Sequence, residues 1–238
     1  MYTQIDIGAN LGNRAQLRLG LRYGWEEATL DTGTPDLPEL DRRVDTSLQL
    51  RAVYDTRNST SLPTRGTLVH VRYVQSEMWF GSDLSYKLLE GAVTKSFGIG
   101  NNALTLLAGG GSTLSGELPI TQQIQLGGIR TFPGLRPGEL RGDEYWFAAS
   151  KFYWRLSDAE SLFGHELYAG FRLQAGEVNG RFDGIDEGTL LGISASIGGN
   201  TPIGAFTVSL GYVDNGSFRL QFSLGRPVNE GSLLDALH

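Results

Sequence analysis

Two serines follow a glycine at the spacing of a hydrolytic nucleophile, in Gly110-Gly111-Ser112 and Gly192-Ile193-Ser194. A serine nucleophile of this kind needs a Gly-x-Ser-x-Gly turn between a strand and a helix, together with an acidic partner. Both serines instead lie within or at the end of segments whose apolar residues alternate as in a β-strand. The sequence therefore predicts no catalytic residue, and we expect that this chain is not itself an enzyme.

Phosphate-binding and metal-binding patterns are equally weak. The run Ala108-Gly109-Gly110-Gly111 lacks the Lys-Ser/Thr pair that completes a phosphate-binding loop. The chain has no cysteine and only three scattered histidines, so neither a thiolate site nor a histidine cluster is expected. Acidic residues at 31–41, beside Arg42 and Arg43, favour a solvated loop over a site for cations or lipopolysaccharide. We predict no metal and no cofactor.

The composition excludes two further classes of protein. The net charge of −6 argues against a surface that binds nucleic acid. No run approaches the roughly 18–20 apolar residues of a membrane-spanning helix. No signal peptide precedes the first strand pattern either. A secreted or membrane protein with such a start is expected to be a piece of a longer one.

Apolar and polar residues alternate along nearly the whole chain. In 14–25, for example, Leu19 and Leu21 alternate with Arg18 and Arg22. Such alternation predicts strands with one apolar and one polar face. Eleven strands are predicted, at 2–10, 14–25, 44–55, 65–77, 84–97, 102–111, 144–156, 163–175, 188–199, 203–213 and 216–225.

The lengths of the strands and connections favour a membrane barrel. Tilted strands of about 10–13 residues span about 25–33 Å, enough for the apolar band of an outer membrane. Short and long connections alternate, as periplasmic turns and external loops do, and the long ones include 26–43 and 112–143. Only three lysines occur, and small or polar residues fill the polar faces, which suits a water-lined lumen. A soluble β-sandwich is the alternative.

Trp146 and Trp154 point to the same side of their predicted strand. They would lie about 20 Å apart along the barrel axis, consistent with aromatic girdles at the two membrane interfaces. Glu90 is discordant, because it falls on the same side of its strand as Leu84, Tyr86 and Leu88, which the alternation assigns to the lipid-facing side. A bulge or register change near Gly91 is the expected explanation.

Two segments are more specific than the alternation. The first runs from Asp55 to Gly66 and resembles the periplasmic turn of the bacterial surface-antigen superfamily, which includes BamA-type insertases and secretion translocators. The second runs from Leu126 to Asp143 and is similar to the superfamily's long sixth extracellular loop. The turn motif comprises Asp55, Arg57, Pro63, Arg65 and Gly66. The loop motif comprises Gly127, Gly128, Arg130, Phe132, Pro133, Gly134, Leu135, Arg136, Gly138, Arg141 and Gly142.

This resemblance implies an all-β, antiparallel transmembrane barrel in the bacterial outer membrane, with the loop at 112–143 folded into its lumen. Five strands follow that loop, as in the superfamily's sixteen-stranded barrel. The chain would then hold strands six to sixteen within 1–226, followed by a tail at 227–238. The alternative is a compact surface loop with turns at Pro133-Gly134 and Pro137-Gly138.

One loop position departs from the superfamily pattern. The loop tip usually carries an Arg that reaches the inner barrel wall, and Pro133 stands at that position here. Arg130, Arg136 and Arg141 are the possible substitutes. A carboxylate is common where Gln174 stands, so the usual charge-assisted contact between an Arg and a carboxylate is not expected.

The loop glycines and the segment 168–178 are most similar to the barrels of patatin-like phospholipases secreted by the type V route. This likeness implies a barrel that anchors an upstream passenger lipase and translocates it through a seam at the strand 216–225, lined by Phe218, Leu220, Phe222 and Leu224. The implied partners are outer-membrane lipid and lipopolysaccharide, the passenger or client polypeptide, and the outer-membrane assembly machinery. An insertase and a passive diffusion pore are the alternatives.

Overall fold

Eleven strands form one antiparallel sheet in this computed structural model, which describes residues 2–28, 40–59, 63–119, 122–129, 131–157, 167–180, 188–201 and 204–224. They are β1 Tyr2–Leu11, β2 Ala15–Ala28, β3 Leu40–Asp55, β4 Gly66–Ser76, β5 Tyr86–Ile99, β6 Asn102–Gly116, β9 Glu144–Ser157, β10 Leu167–Asn179, β11 Leu190–Thr201, β12 Gly204–Val213 and β13 Phe218–Leu224. The predicted all-β, antiparallel arrangement of eleven strands is confirmed. A separate pair, β7 Ile124–Leu126 and β8 Leu140–Gly142, lies in the connection between β6 and β9.

Consecutive strands of the large sheet pair with each other, β6 pairs directly with β9, and β1 and β13 are the two edges. The tail predicted at 227–238 lies outside the described residues. The described part of the chain has one helical segment, a 3-10 turn at Met78–Phe80, and no helix there is long and apolar enough to cross a membrane.

One face of the large sheet is apolar and uncovered. The pairing register aligns Ile7, Leu19, Leu50, Tyr73 and Leu89 across the first five strands. Ile7 is 74% exposed and Leu89 is 42% exposed. Apolar side chains in an uncovered row are what lipid would cover in a membrane sheet. We call this the outer face, and the opposite one, against which the β6–β9 connection packs, the inner face.

Glu90 lies on the inner face, and the predicted orientation of its strand was wrong. Tyr86, Leu88 and Glu90 are all buried and point inward, whereas Leu89 and Val93 are exposed on the outer face. Alternation along this stretch continues through Glu90 without the expected reversal near Gly91. The reason is that the connection between β6 and β9 covers this part of the inner face, so apolar residues are buried there too.

Four strands extend at least three residues further at one end than the sequence predicts. Strand β2 ends at Ala28 instead of 25, and β3 begins at Leu40 instead of 44. Strand β6 continues to Gly116 instead of ending at 111, and β10 continues to Asn179 instead of ending at 175. Gly176, which the sequence suggests as the end of β10, pairs with Phe147 inside the sheet. The glycine leaves room for a phenyl ring of the connecting loop, as the site below describes.

Candidate functional site

The connection between β6 and β9 is a folded loop with its own core. Strands β7 and β8 close its base through the pairs Ile124↔Gly142 and Leu126↔Leu140. At its tip, Phe132 and Leu135 are 0% exposed. Complete burial of large apolar side chains in a loop requires a surface that covers them. That surface is the inner face of the sheet.

Hydrogen bonds within the loop fix the shape of its tip. The Thr131 hydroxyl accepts from the Gly127 amide at 2.8 Å and donates to the Gly127 carbonyl at 2.9 Å. The Gly128 amide donates to the Leu135 carbonyl at 3.1 Å, and the Arg136 amide donates to the Glu139 carboxylate at 2.6 Å.

Gly127 is required by this geometry. Its φ is +129°, and a Cβ there would stand 2.1 Å from the Arg136 carbonyl oxygen. Any other residue would therefore meet both backbone strain and a collision with the main chain.

The loop tip touches the inner face most closely at β12. A Cβ built on Gly211 would stand 2.5 Å from both the Gly134 nitrogen and the Pro133 carbonyl carbon. From the side of the loop, a Cβ on Gly134 would stand 2.7 Å from a methyl group of Val213. Two glycines thus let two backbones meet where no side chain would fit. This closeness holds Pro133 and Gly134 against the wall.

Aromatic packing continues the contact onto β9 and β10. The rings of Phe132 and Phe147 meet edge to face, with centroids 5.8 Å apart. Gly176 allows this arrangement, because a Cβ there would lie 3.1 Å from the Phe132 ring. Edge-to-face pairs stabilise by about 0.5–1.5 kcal/mol beyond the area they bury.

Two wall side chains hold main-chain carbonyls of the loop. Arg172 on β10 donates to the Thr131 carbonyl at 2.7 Å, and its guanidinium lies 5.2 Å from the Phe147 ring centroid. Gln221 on β13 donates to the Leu135 carbonyl at 2.7 Å. The arginine in this contact therefore comes from the wall, and the loop supplies only backbone.

Of the three substitutes suggested for the missing loop arginine, the two that the structure describes, Arg136 and Arg141, do not take that role. Arg130 lies outside the described residues. Arg136 and Arg141 are exposed, and Arg141 donates to the Gly138 carbonyl within the loop at 3.1 Å. Gln174 is buried, and neither polar atom of its amide has a hydrogen-bond partner among the described residues.

A second contact fastens the loop to the opposite part of the wall. Arg72 on β4 pairs with Glu90 on β5 at 3.1 Å and also donates to the side-chain oxygen of Gln122 at 3.1 Å. The two charged side chains are 10% and 3% exposed. Burial without partners would cost each of them several kcal/mol, and the ion pair together with the Gln122 oxygen offsets this cost where the loop covers the wall.

The base of the loop holds a carboxyl group in an unfavourable environment. Burial raises the pKa of Asp143, and the negative charges of Glu117 and Glu144 raise it further. The folded state therefore favours the protonated acid, and this stabilising contribution is lost as the pH rises through the folded pKa.

Replacing Asp143 with Asn is expected to raise the stability of the folded barrel slightly at pH 7. The gain should stay below about 1 kcal/mol, because solvent around this partly exposed group screens the repulsion. The urea midpoint, read from the folded band on unheated gels, measures it. At pH 3, where Asp143 is itself neutral, parent and variant should have the same urea midpoint. An equal gain at both pH values would contradict the charge argument.

The turn motif is a compact structure at the other end of the sheet. Arg57 donates to the Asp55 carboxylate through its backbone amide at 2.9 Å and through its guanidinium at 3.0 Å. A Cβ on Gly66 would stand 2.3 Å from the Thr56 carbonyl oxygen, and its φ is +111°. Pro63 is half-buried and Arg65 is exposed. Part of this turn, 60–62, lies outside the described residues.

The predicted seam residues Phe218, Leu220, Phe222 and Leu224 all lie on the outer face of β13. Their exposed fractions are 63%, 70%, 66% and 49%. In this structure β13 is an edge of the sheet, paired only with β12. The described seam strand thus presents apolar side chains outward, and Gln221 between them points inward to the loop.

Sequence reasoning missed Arg172, Gln221 and Gly211. Alternation does place all three on the inner face, which was the one available signal. It could not show which inner residues the loop would meet, since that depends on how the loop folds back.

Replacing Arg172 with Met is expected to loosen the loop tip. The substitution keeps similar volume but removes the donor to the Thr131 carbonyl, and hydrogen bonds from charged groups contribute about 1.5–3 kcal/mol. The chain contains no cysteine, so a single Leu135→Cys reporter can be added and labelled with a maleimide. A loss of about 1.4 kcal/mol raises the population of the open loop tenfold, and only the open loop is labelled. Labelling should therefore be about tenfold faster, or more, with Arg172→Met.

Arg172→Lys is the matched control for this prediction. It retains a positive donor, and we expect it to protect the reporter better than Arg172→Met does. Equal protection in parent and Arg172→Met would show that the 2.7 Å contact contributes nothing to holding the loop.

Comparisons with known proteins agree on the fold. A family model described as the Omp85 superfamily domain matches residues 2–227. The crystal structure of BamA from Haemophilus ducreyi lacking POTRA domains 1–3 has a TM-score of 0.74 and 16% identity, over 93% of this chain and 52% of that one. CdiB from Escherichia coli has a TM-score of 0.70 and 14% identity, over 93% of this chain and 44% of that one. No curated protein matches the sequence.

The chain spans about half the length of these two solved structures. At such low identity, the likeness shows the fold alone. The open eleven-stranded sheet is accordingly similar to part of a larger outer-membrane barrel.

Proposed function

The chain belongs to the Omp85 superfamily, and we propose that it is the membrane part of a protein that exports its own upstream passenger, a patatin-like lipase, to the cell surface. Membership in the superfamily places the chain in the outer membrane of a Gram-negative bacterium. The outer face then contacts lipid, and the inner face lines the lumen.

The observation that carries this proposal is the uneven filling of the inner face. The loop packs on β4 and β5 through Arg72 and Glu90, and on β10, β12 and β13 through Arg172, Gly211 and Gln221. The inner face of β2 keeps Arg18 exposed, and Arg51 on β3 is 35% exposed. A loop held on part of a polar wall leaves the rest of that wall accessible, and an accessible polar wall is what a translocated polypeptide would pass along.

The assignment of this chain to the barrels of patatin-like phospholipases rests on sequence resemblance. The glycines of the loop motif and the segment 168–178 support it, and the present chain supplies no catalytic motif of its own. In this proposal the lipase is encoded before the barrel. We infer that the barrel also depends on the assembly machinery of the outer membrane, as an integral barrel of this family does, and that lipopolysaccharide contacts its outer face.

Surface display of the upstream region tests the proposal. Intact cells that make the full-length protein are treated with an external protease, and the region before the barrel is detected with an epitope tag. We expect the tag to be cleaved on intact cells and lipase activity to appear at the surface. A tag that is protected until the outer membrane is broken would overturn passenger export.

Two other functions predict different outcomes. An insertase would carry polypeptide-transport-associated repeats upstream, and its depletion would lower the amounts of unrelated barrel proteins. A diffusion pore would give steady ion conductance in planar bilayers without any passenger. Either result together with a protected tag would replace the proposal.

A further inference from the structure

Three arginines stand side by side on the inner face of β2, β3 and β4. The pairing register places Arg18 opposite Arg51, and Arg51 opposite Arg72. Cross-strand neighbours have Cβ atoms about 4.5–5.5 Å apart, and like charges in such positions destabilise a sheet. We call these residues the arginine row.

A carboxylate compensates the arginine row at each end. Asp6 on β1 accepts a hydrogen bond from Arg51 at 2.5 Å, and Glu90 pairs with Arg72 at 3.1 Å. Two carboxylates facing three guanidinium groups leave one positive charge in excess. The inner wall therefore keeps a local positive potential in a protein whose net charge is −6.

The two ends of the row differ in exposure. Arg72 and Glu90 are covered by the loop, and their side chains are 10% and 3% exposed. Arg51 and Asp6 are 35% and 25% exposed, and Arg18 is exposed as well. The accessible part of the row thus lies beside the loop, on the wall that the loop leaves uncovered.

We propose that Arg18 and Arg51 form a binding site for the carboxylate side chains of a polypeptide in the lumen. Guanidinium groups present paired donors that match a carboxylate, and they bind it more strongly than a lone ammonium does. Asp6 occupies Arg51 in the empty barrel and is displaced when an acidic side chain of the polypeptide arrives. The site rests on the proposed function in one respect only, because a polypeptide must enter the lumen to reach it.

Peptide binding to the purified full-length protein in detergent micelles tests this site. The probes are octaglutamate and octalysine, each carrying an uncharged dye, and fluorescence anisotropy reports binding. We expect octaglutamate to bind and octalysine not to bind. Affinity should fall as salt is added, because the contact is electrostatic and partly exposed.

Variants of the row give the decisive comparison. Arg18→Gln with Arg51→Gln should weaken octaglutamate binding at least tenfold, whereas Arg18→Lys with Arg51→Lys should retain most of it. Asp6→Asn should strengthen binding severalfold, since it removes the internal competitor. The matched control is Arg14→Gln with Arg43→Gln, which removes the same charge from exposed residues outside the row.

Three results would overturn the site. The first is unchanged octaglutamate binding in the Arg18 and Arg51 glutamine variant, and the second is equal binding of octaglutamate and octalysine. The third is complete competition by inorganic phosphate at the ionic strength of the chloride control, which would mean that the row takes any small anion. Folding of each variant is checked by its unheated gel mobility. The passenger assay is independent, so loss of surface display with intact octaglutamate binding would reject export and keep the site.

Discussion

Replacing Gly211 with valine is expected to displace the loop tip from the inner face of β12. The new Cβ would stand 2.5 Å from the main chain of Pro133 and Gly134. Backbone cannot rotate away as a side chain can, so the tip as a whole must move. Overpacking costs about 1–3 kcal/mol, and each apolar side chain exposed at the tip adds about 1.5–3 kcal/mol. We expect a total of several kcal/mol against the packed loop.

The Leu135→Cys reporter measures this displacement. Leu135 is 0% exposed in the packed loop, so its labelling should be slow in the parent and more than about a hundredfold faster with Gly211→Val, in keeping with a loss above 2.7 kcal/mol. Surface display of the passenger should fall in the same variant. Gly91→Val is the matched control, because the nearest atom to a Cβ there is 3.8 Å away. A protected reporter in Gly211→Val would contradict the described packing of the tip.

Replacing Leu220 with arginine is expected to lower the stability of the folded barrel in lipid strongly. Leu220 is 70% exposed on the outer face of β13 and pairs with Leu210. A charged residue on the lipid face of a barrel costs about 2–4 kcal/mol at the bilayer midplane and less near the interfaces. The urea midpoint of the protein folded into lipid vesicles, read from the folded band on unheated gels, should therefore decrease.

Ser223→Arg is the matched control for Leu220→Arg. It adds the same charge to the same strand, but on the inner face, which lines the lumen in the proposed function. We expect its unfolding midpoint to stay close to that of the parent. If both arginines lowered the midpoint equally, the assignment of the outer face to lipid would be wrong.

Alternation predicted the strands well because lipid and lumen impose opposite polarities on successive residues. It predicted the wrong face for Tyr86 and Leu88, since burial under a loop selects apolar residues as lipid does. Their neighbour Glu90 carried the correct signal, although in the alternation it looks like an irregularity. A single charged residue among apolar residues on the same side of a strand is therefore evidence that this side faces the lumen.

The loop was harder to predict than the sheet. Strands β7 and β8 have three residues each, too few for a periodicity to be recognised. The loop glycines indicated tight turns, but the positions of Arg172, Gln221 and Gly211 relative to them follow from tertiary packing. The sequence named the residues of the loop and could not name the wall residues that hold it.

The bonds from Arg172 and Gln221 to main-chain carbonyls have an evolutionary consequence. Every residue type offers a carbonyl, so positions 131 and 135 can change their side chains and keep these two bonds. Selection for the docked loop would then act on the wall as well as on the tip, so a tip carrying Pro133 in place of arginine stays attached through the wall's donors. Among homologues, substitutions at positions 172 and 221 should therefore be rare.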